Sequence, residues 1–152
     1  MRLVIQRVLN GSVSVEGKTV GSIAKGYVVL VGISDADRES TVEKMTRKML
    51  HLRIFEDSAG KTNLALKDVQ GELLLISQFT LYADCRHGNR PGFTGAGSPA
   101  HAEKLYQYMI SLCGQECKTE HGIFGADMQV SLVNDGPFTI LLDSDELQGM
   151  HP

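Results

Sequence analysis

The chain has 152 residues, 42% of them hydrophobic and 22% charged, which suits one globular domain with a core of ordinary size. Its formal net charge of -3 excludes a general electrostatic pull toward nucleic acid, so a polyanionic partner must be held by local basic patches. No apolar run approaches the roughly 20 residues needed to span a bilayer. The opening residues show no leader-like apolar stretch, and three cysteines make a poor disulfide framework, so a cytoplasmic protein without membrane association is expected.

In chain order, Leu3 to Val8 and Ser12 to Glu16 read as strands around Asn10-Gly11, a hairpin signal. A second turn at Glu16-Gly17-Lys18 leads to a strand over Val20 to Ile23. Tyr27 to Ile33 is a nearly unbroken apolar run, as expected for a strand covered on both faces. Arg38 to Leu52 follows as an amphipathic helix, with Val42, Met45, Met49 and Leu52 on one stripe and Lys44, Arg47, Lys48 and His51 on the other. That basic face is either a solvated surface or a contact for a phosphate backbone.

Arg53 to Phe55 is expected to re-enter a sheet, Asp57 to Asn63 to turn, and Leu73 to Tyr82 to form a second apolar strand carrying Ser77, Gln78 and Thr80. On a strand, Gln78 and Thr80 would share one face with Ile76. Asp84 to Gly97 is a loop rich in glycine and basic residues, in which Arg86, His87 and Arg90 suit phosphate contacts. Ser98-Pro99 reads as a helix cap and first helical residue, with Ala102, Leu105, Tyr106, Met109, Ile110 and Cys113 as the buried stripe and Gly114 as the stop. Lys118 to Glu120 suggests a short edge strand. Met128 to Val133 and Phe138 to Leu142 read as the last two strands, joined through Asn134-Asp135-Gly136-Pro137, and the acidic tail after Asp143 is expected to fray. The sum is one α+β domain, residues 1–145, followed by a tail, residues 146–152.

Several chemistries find no support. Cys113, Cys117 and His121 recur at intervals of four but straddle a helix end, so no metal site is expected. No nucleophile elbow, phosphate loop or dinucleotide fingerprint occurs, and no paired carboxylates stand out.

Two short segments carry more. Ser77-Gln78-Phe79-Thr80-Leu81 reads either as an ordinary strand end or as one that splays from its partner and frees backbone N–H groups to hold a developing oxyanion. In Asn134-Asp135-Gly136-Pro137-Phe138-Thr139, the proline removes a donor and restricts its neighbour, so Gly136 and Pro137 cannot both continue a ladder. In this order the pair resembles the Ser-Gln-x-Thr-Leu and Asn-x-Gly-Pro-x-Thr signatures of the D-aminoacyl-tRNA deacylase family. The resemblance extends from Ile5-Gln6-Arg7-Val8 through Arg53-Ile54-Phe55 to Gly122-x-Phe124-x-Ala126-x-Met128-x-Val130.

The resemblance implies a compact β-rich fold, sheets or a partly open barrel packed with two main helices, and a homodimer with active sites at the interface. It implies hydrolysis of D-aminoacyl-tRNA, and of mischarged glycyl-tRNA, with no cofactor. Gly136 and Pro137, joined by a cis bond, would enter the partner's site and exclude an L-side chain, a wall at the α-carbon that ignores side-chain identity. Ser77, Gln78, Phe79 and Thr80 are the expected catalytic segment. Arg7, on a strand face with Leu3 and Ile5, is expected to hold the Gly-Pro segment, with Asn134, Thr139 and Met128 as further support. Thr80 lacks a visible base, so backbone donors near Ser77, Gln78 and Phe79 are expected to stabilise the oxyanion, with the substrate 2′-hydroxyl helping the attacking water. Lys44, Lys48, Arg86 and Arg90 are the expected tRNA contacts. The alternative is a non-catalytic tRNA- or ribosome-binding module; a general esterase is disfavoured by the missing elbow.

Overall fold

Strand β1 (Arg2–Val15) is the spine of the fold, and one of its edges serves two neighbours in succession. Residues Arg2 to Val8 pair antiparallel with β3 (Gly26–Gly32), and Gly11 to Val15 pair with β2 (Lys18–Ile23). The other edge pairs along its length with β8 (Met128–Asp143). Beyond β3 the sheet continues through β6 (Glu72–Ser77) to β7 (Thr119–His121), both joined in parallel. Parallel neighbours need crossover connections, and these carry α1 (Glu39–Leu50) and α2 (Pro99–Gly114). A two-stranded ribbon, β4 (Phe55–Glu56) with β5 (Thr62–Leu64), follows α1. This computed structural model describes residues 1–147, so the last five positions of the expected tail lie outside the described residues.

The central strands are buried on both sides, which explains their unbroken apolar sequence. Leu3, Ile5, Tyr27, Val29, Val31, Leu73 and Leu75 face the helices, where they meet Val42, Met45 and Met49 of α1 and Leu105, Tyr106 and Met109 of α2. Val8, Val13, Ile23, Val28, Leu74 and Ile76 face the other way and form a second core under β2 and the start of β8. The sheet thus curls into a nearly closed barrel with both helices on one flank.

Asn10-Gly11 is not a hairpin. The chain runs straight through, because β1 bends there and shifts register against β8 between Val8 and Asn10 as it changes neighbours. Gly11 serves the bend by close packing: a Cβ there would lie 2.6 Å from Val28 Cγ2. The true turn is Glu16-Gly17, both at positive φ, as a two-residue hairpin requires. Of Arg53 to Phe55 only Phe55 enters a strand, and that strand belongs to the small ribbon and not to the main sheet. Ser98 precedes α2 as expected, yet its hydroxyl bonds Asp35 instead of capping the helix.

Two further departures bear on function. The strand expected over Leu73 to Tyr82 stops at Ser77, and Phe79–Tyr82 forms a 3-10 turn, so Gln78 and Thr80 do not share a strand face. The two strands expected at the end are one, β8, interrupted by a bulge. After β8, Ser144 N–H donates to the Met1 carbonyl at 2.9 Å and Leu147 is buried in the main core.

Candidate active site

The principal cleft, about 830 Å³, opens at the mouth of the barrel. Its floor is Val31 and Ile33 at the end of β3, with Ile76, Ser77, Gln78 and Phe79 where β6 stops. Phe93 and the segment Ala96 to Pro99 form one wall, and Phe124 to Met128 form the other. Such a largely apolar hollow with a few convergent polar groups suits a small-molecule moiety. Phe79 and Phe93 meet edge to face at its rim, centroids 5.1 Å apart, with Phe79 56% exposed.

The polar end of the cleft is made by the termination of β6. Gln78 N–H donates to Val31 O at 2.8 Å, and the chain then leaves the sheet. Leu81 N–H returns to Gln78 O at 3.3 Å and Ala83 N–H to Thr80 O at 3.0 Å, closing the 3-10 turn. The first N–H groups of any helical turn lack an internal acceptor. Here those of Phe79 and Thr80 find none among the described residues. They are two adjacent donors beside the cleft. The turn is fixed from two sides. At Gly32 the chain approaches so closely that a Cβ would lie 2.9 Å from Leu81 Cβ. Arg2 donates to Leu81 O at 3.0 Å, to the Asp143 carboxylate at 2.8 Å, and stacks over Tyr82 at 4.5 Å.

Thr80 Oγ1 takes a 2.5 Å hydrogen bond from the Gln78 side-chain amide, and no imidazole or carboxylate contacts it among the described residues. The wall opposite is stiffened by Asp35, whose carboxylate accepts Ser98 N–H at 2.8 Å and Ser98 Oγ–H at 3.2 Å. The Ser98 N–H holds the Asp35 carboxyl below its usual range. Beneath the cleft, Tyr106 Oη donates to Leu75 O at 2.7 Å, and burial pushes its phenol upward.

The second segment lies elsewhere. Gln6 faces Thr139 and Val8 faces Asn134, so Asp135 to Phe138 bulge out opposite the single residue Arg7. The Gly136–Pro137 bond is cis, and both residues are exposed. Arg7, 5% exposed, lies under the bulge. Its Nε donates to Asp135 O at 3.2 Å and pairs with the Asp135 carboxylate at 3.1 Å, while its NH1 donates to Ile54 O at 2.5 Å. The guanidinium also lies 4.4 Å from the Phe138 ring centroid. Asn134 Nδ2 donates to Arg7 O at 3.0 Å and to Phe138 O at 3.2 Å, closing the neck of the bulge.

Of the residues singled out from the sequence, Ser77, Gln78, Phe79 and Met128 line the cleft, and Thr80 follows directly in the turn. Arg7, Asn134, Gly136, Pro137 and Thr139 do not line it. Met128 and Gly136 are separated by on the order of 25 Å of extended β8. Lys44 is held by the Leu147 carbonyl, Arg86 is clamped by Asp84 at 2.7 Å, and Lys48 and Arg90 are exposed; none of the four lines the cleft. The Asp84 to Gly97 loop is not loose: Asp84 and Gly92 exchange backbone hydrogen bonds at 2.7 and 2.9 Å. Sequence reasoning missed Asp35 and Phe93 as cleft residues, since neither spacing nor residue type sets them apart. Among the described residues no three His, Cys, Asp or Glu side chains converge as metal ligands, and no helix is long and apolar enough to cross a membrane.

A sequence profile of the D-Tyr-tRNA(Tyr) deacylase family matches residues 4–143. The chain is 52% identical to a D-aminoacyl-tRNA deacylase of Thermosipho africanus, over 97% of this chain and 99% of that protein. It is 54% identical to a D-aminoacyl-tRNA deacylase of Clostridium novyi, over 95% and 97% of the two. Among solved structures, the c-Myc DNA unwinding element binding protein superposes with a TM-score of 0.89 at 41% identity, covering 94% of this chain and 98% of that one.

Proposed function

Because the chain belongs to the D-Tyr-tRNA(Tyr) deacylase family, hydrolases acting on the ester of D-aminoacyl-tRNA, we propose a division of labour between its two segments. The turn after β6 holds the reacting carbonyl. The Gly136–Pro137 bulge decides which hand of substrate reaches it. The observation that carries this reading is the adjacent N–H groups of Phe79, which lines the cleft, and of Thr80, the next residue of the turn, neither of which finds an acceptor among the described residues.

As water adds to the ester carbonyl, negative charge gathers on its oxygen, and fixed backbone donors stabilise that charge more than the ground state. The carbonyl carbon becomes tetrahedral, the bond to the ribose oxygen breaks, and the terminal hydroxyl of tRNA leaves with a proton. The substrate's free 2′-hydroxyl orients the water. Thr80, engaged by the Gln78 amide and without an adjacent base, positions the donors and forms no acyl-enzyme. The aminoacyl and adenosine moieties share the cleft, whose volume of about 830 Å³ is of the order expected for a bound small molecule.

The bulge lies away from its own chain's cleft, so this division of labour needs a second copy: a homodimer in which Gly136 and Pro137 of one subunit stand beside the α-carbon of the substrate in the other. The hydrogen of a D-residue or of glycine fits against that main-chain wall, and an L-side chain collides with it. Support comes from β8, which has no strand on its outer edge among the described residues and which exposes Val133 and Leu141, the latter 74% accessible. This work belongs in the cytoplasm, where aminoacyl-tRNA is used.

The decisive experiment incubates the protein with D-tyrosyl-tRNA and L-tyrosyl-tRNA. Rapid loss of the D-ester alone supports the reading. Binding of both without hydrolysis would leave only a tRNA-binding module.

A further inference from the structure

The bulge does not project alone. The Arg7 guanidinium that holds Asp135 O also holds Ile54 O, so the segment from Arg53 to Phe55 is fastened to the base of the bulge. Two exposed cations mark this segment, Arg53 at its start and Lys25 packed against Phe55. Lys25 Nζ sits 5.3 Å from the centroid of the Phe55 ring, the ring that lies 5.8 Å from Arg7 Cζ. Arg53 spends its Nε on Asn63 O at 2.9 Å. Neither cation has a carboxylate within ion-pair distance among the described residues. The nearby acids are otherwise occupied or turned to solvent. Asp135 is taken by Arg7, Asp57 accepts the Ala59 and Lys61 N–H groups, and Glu56 is exposed.

We propose that Lys25 and Arg53 hold phosphates near the 3′ end of the tRNA whose ester lies in the partner subunit's cleft. This rests on the reading above, in which the bulge enters that cleft. A bulge that touches the α-carbon brings with it whatever is fastened to its base. The phosphates of the terminal nucleotides cannot be far from the ester those nucleotides carry. Neither residue 25 nor residue 53 lines the cleft of its own chain. A protein of net charge -3 also needs such local cations to hold a polyanion at all. Phosphate contacts of this kind set register without reading sequence, which suits an enzyme that must accept many tRNAs.

The test compares two substrates, D-tyrosyl-tRNA and 3′-O-D-tyrosyl-adenosine, which lacks the upstream phosphates. In the Lys25→Glu/Arg53→Glu variant, kcat/KM for the tRNA falls at least about tenfold at 0.1 M salt, and the slope of log kcat/KM against log salt shrinks by about 1.4, roughly 0.7 for each phosphate no longer neutralised. Turnover of the adenosine ester is unchanged, and Arg53→Lys retains most of the tRNA activity. Mixed dimers then separate the subunits. One chain carries Phe79→Pro, which removes an N–H donor, and the other carries the double charge reversal. The live cleft belongs to the charge-reversed chain but receives its neighbour's Lys25 and Arg53, so its rate on D-tyrosyl-tRNA returns to that of a wild-type cleft. A mixed dimer as slow as the charge-reversed homodimer overturns the proposal, as does an unchanged salt slope or an equal loss on both substrates. A wild-type chain that is monomeric, or that does not discriminate D from L, would instead sink the composite-site reading on which the proposal stands.

Discussion

Replacing Arg7 by Met tests the bracing of the bulge, because Met keeps much of the volume and removes every donor. The buried bond to Ile54 O at 2.5 Å involves a charged donor and contributes about 1.5–3 kcal/mol. The partner carboxylate of Asp135 is 34% exposed, so its pairing with Arg7 is screened and adds about 1 kcal/mol at most. The stacking of the guanidinium over Phe138 at 4.4 Å adds roughly 0.5–1 kcal/mol. The expected loss is therefore about 2–5 kcal/mol, overlapping the range for other buried pairs broken from one side. At a urea m-value of roughly 2 kcal/mol/M the unfolding midpoint falls by about 1–2.5 M, measured at fixed protein concentration so that the proposed self-association does not confound the comparison. The second readout is the ratio of kcat/KM for D- and L-tyrosyl-tRNA, which drops if the bulge forms the wall proposed at the α-carbon. Arg7→Lys falls between, since a single ammonium cannot serve both carbonyls with the geometry of a guanidinium. A destabilisation below about 1 kcal/mol together with an unchanged D/L ratio would refute the bracing argument.

Three further outcomes are expected. Gly32→Ala brings a Cβ 2.9 Å from Leu81 Cβ and 3.3 Å from Gln78 O, so the 3-10 turn must shift; steady-state kinetics should show kcat down about tenfold or more, and thermal unfolding a loss of about 1–3 kcal/mol. Thiol titration of the native protein near neutral pH should find one fast group, the exposed Cys85: burial pushes the Cys113 thiol up to about 12 and raises that of Cys117, and all three react once the chain is unfolded. Four carboxyls sit below their ordinary value of 3.8 in the folded state: Asp35 through the Ser98 N–H, Asp57 through the Lys61 N–H, Asp84 through the Arg86 guanidinium, and Asp143, where the Asp145 N–H and Arg2 outweigh the opposing effect of burial. Their stabilisation is complete above about pH 4 and disappears as pH falls through the folded values, so urea midpoints should be flat with respect to these groups from pH 7 to about 5 and decline below about 4.

Much of the fold is legible from pattern alone. The unbroken apolar run at Tyr27 marks a strand covered on both faces, and the stripe Val42, Met45, Met49 is the buried side of α1. Leu105, Tyr106, Met109 and Cys113 are likewise the buried side of α2. These signals work because burial repeats with the period of the element. The expectations that fail are the ones where local preference meets a long-range demand. Asn10-Gly11 favours a turn, yet pairing with β8 along both halves of β1 holds the chain extended. Residues Phe79 to Tyr82 alternate suitably for a strand, but β3 turns away past Gly32 and leaves them no ladder to join.

The two segments that stand out in the sequence show the same boundary. By itself the sequence determined that Ser77 to Leu81 and Asn134 to Thr139 are unusual, that Arg7 is a charge on an apolar strand face, and which family the whole pattern resembles. Only the tertiary structure decided that the first segment ends β6 in a turn beside the cleft, with two N–H groups that find no acceptor among the described residues. It alone decided that the second is a bulge opposite Arg7, on the far stretch of β8. The reason is physical: a residue's propensity is set by its immediate neighbours along the chain. Which backbone donors remain free, and which carbonyl a buried guanidinium finds, depend on strands more than a hundred residues apart in sequence, as Arg7 and Asp135 are.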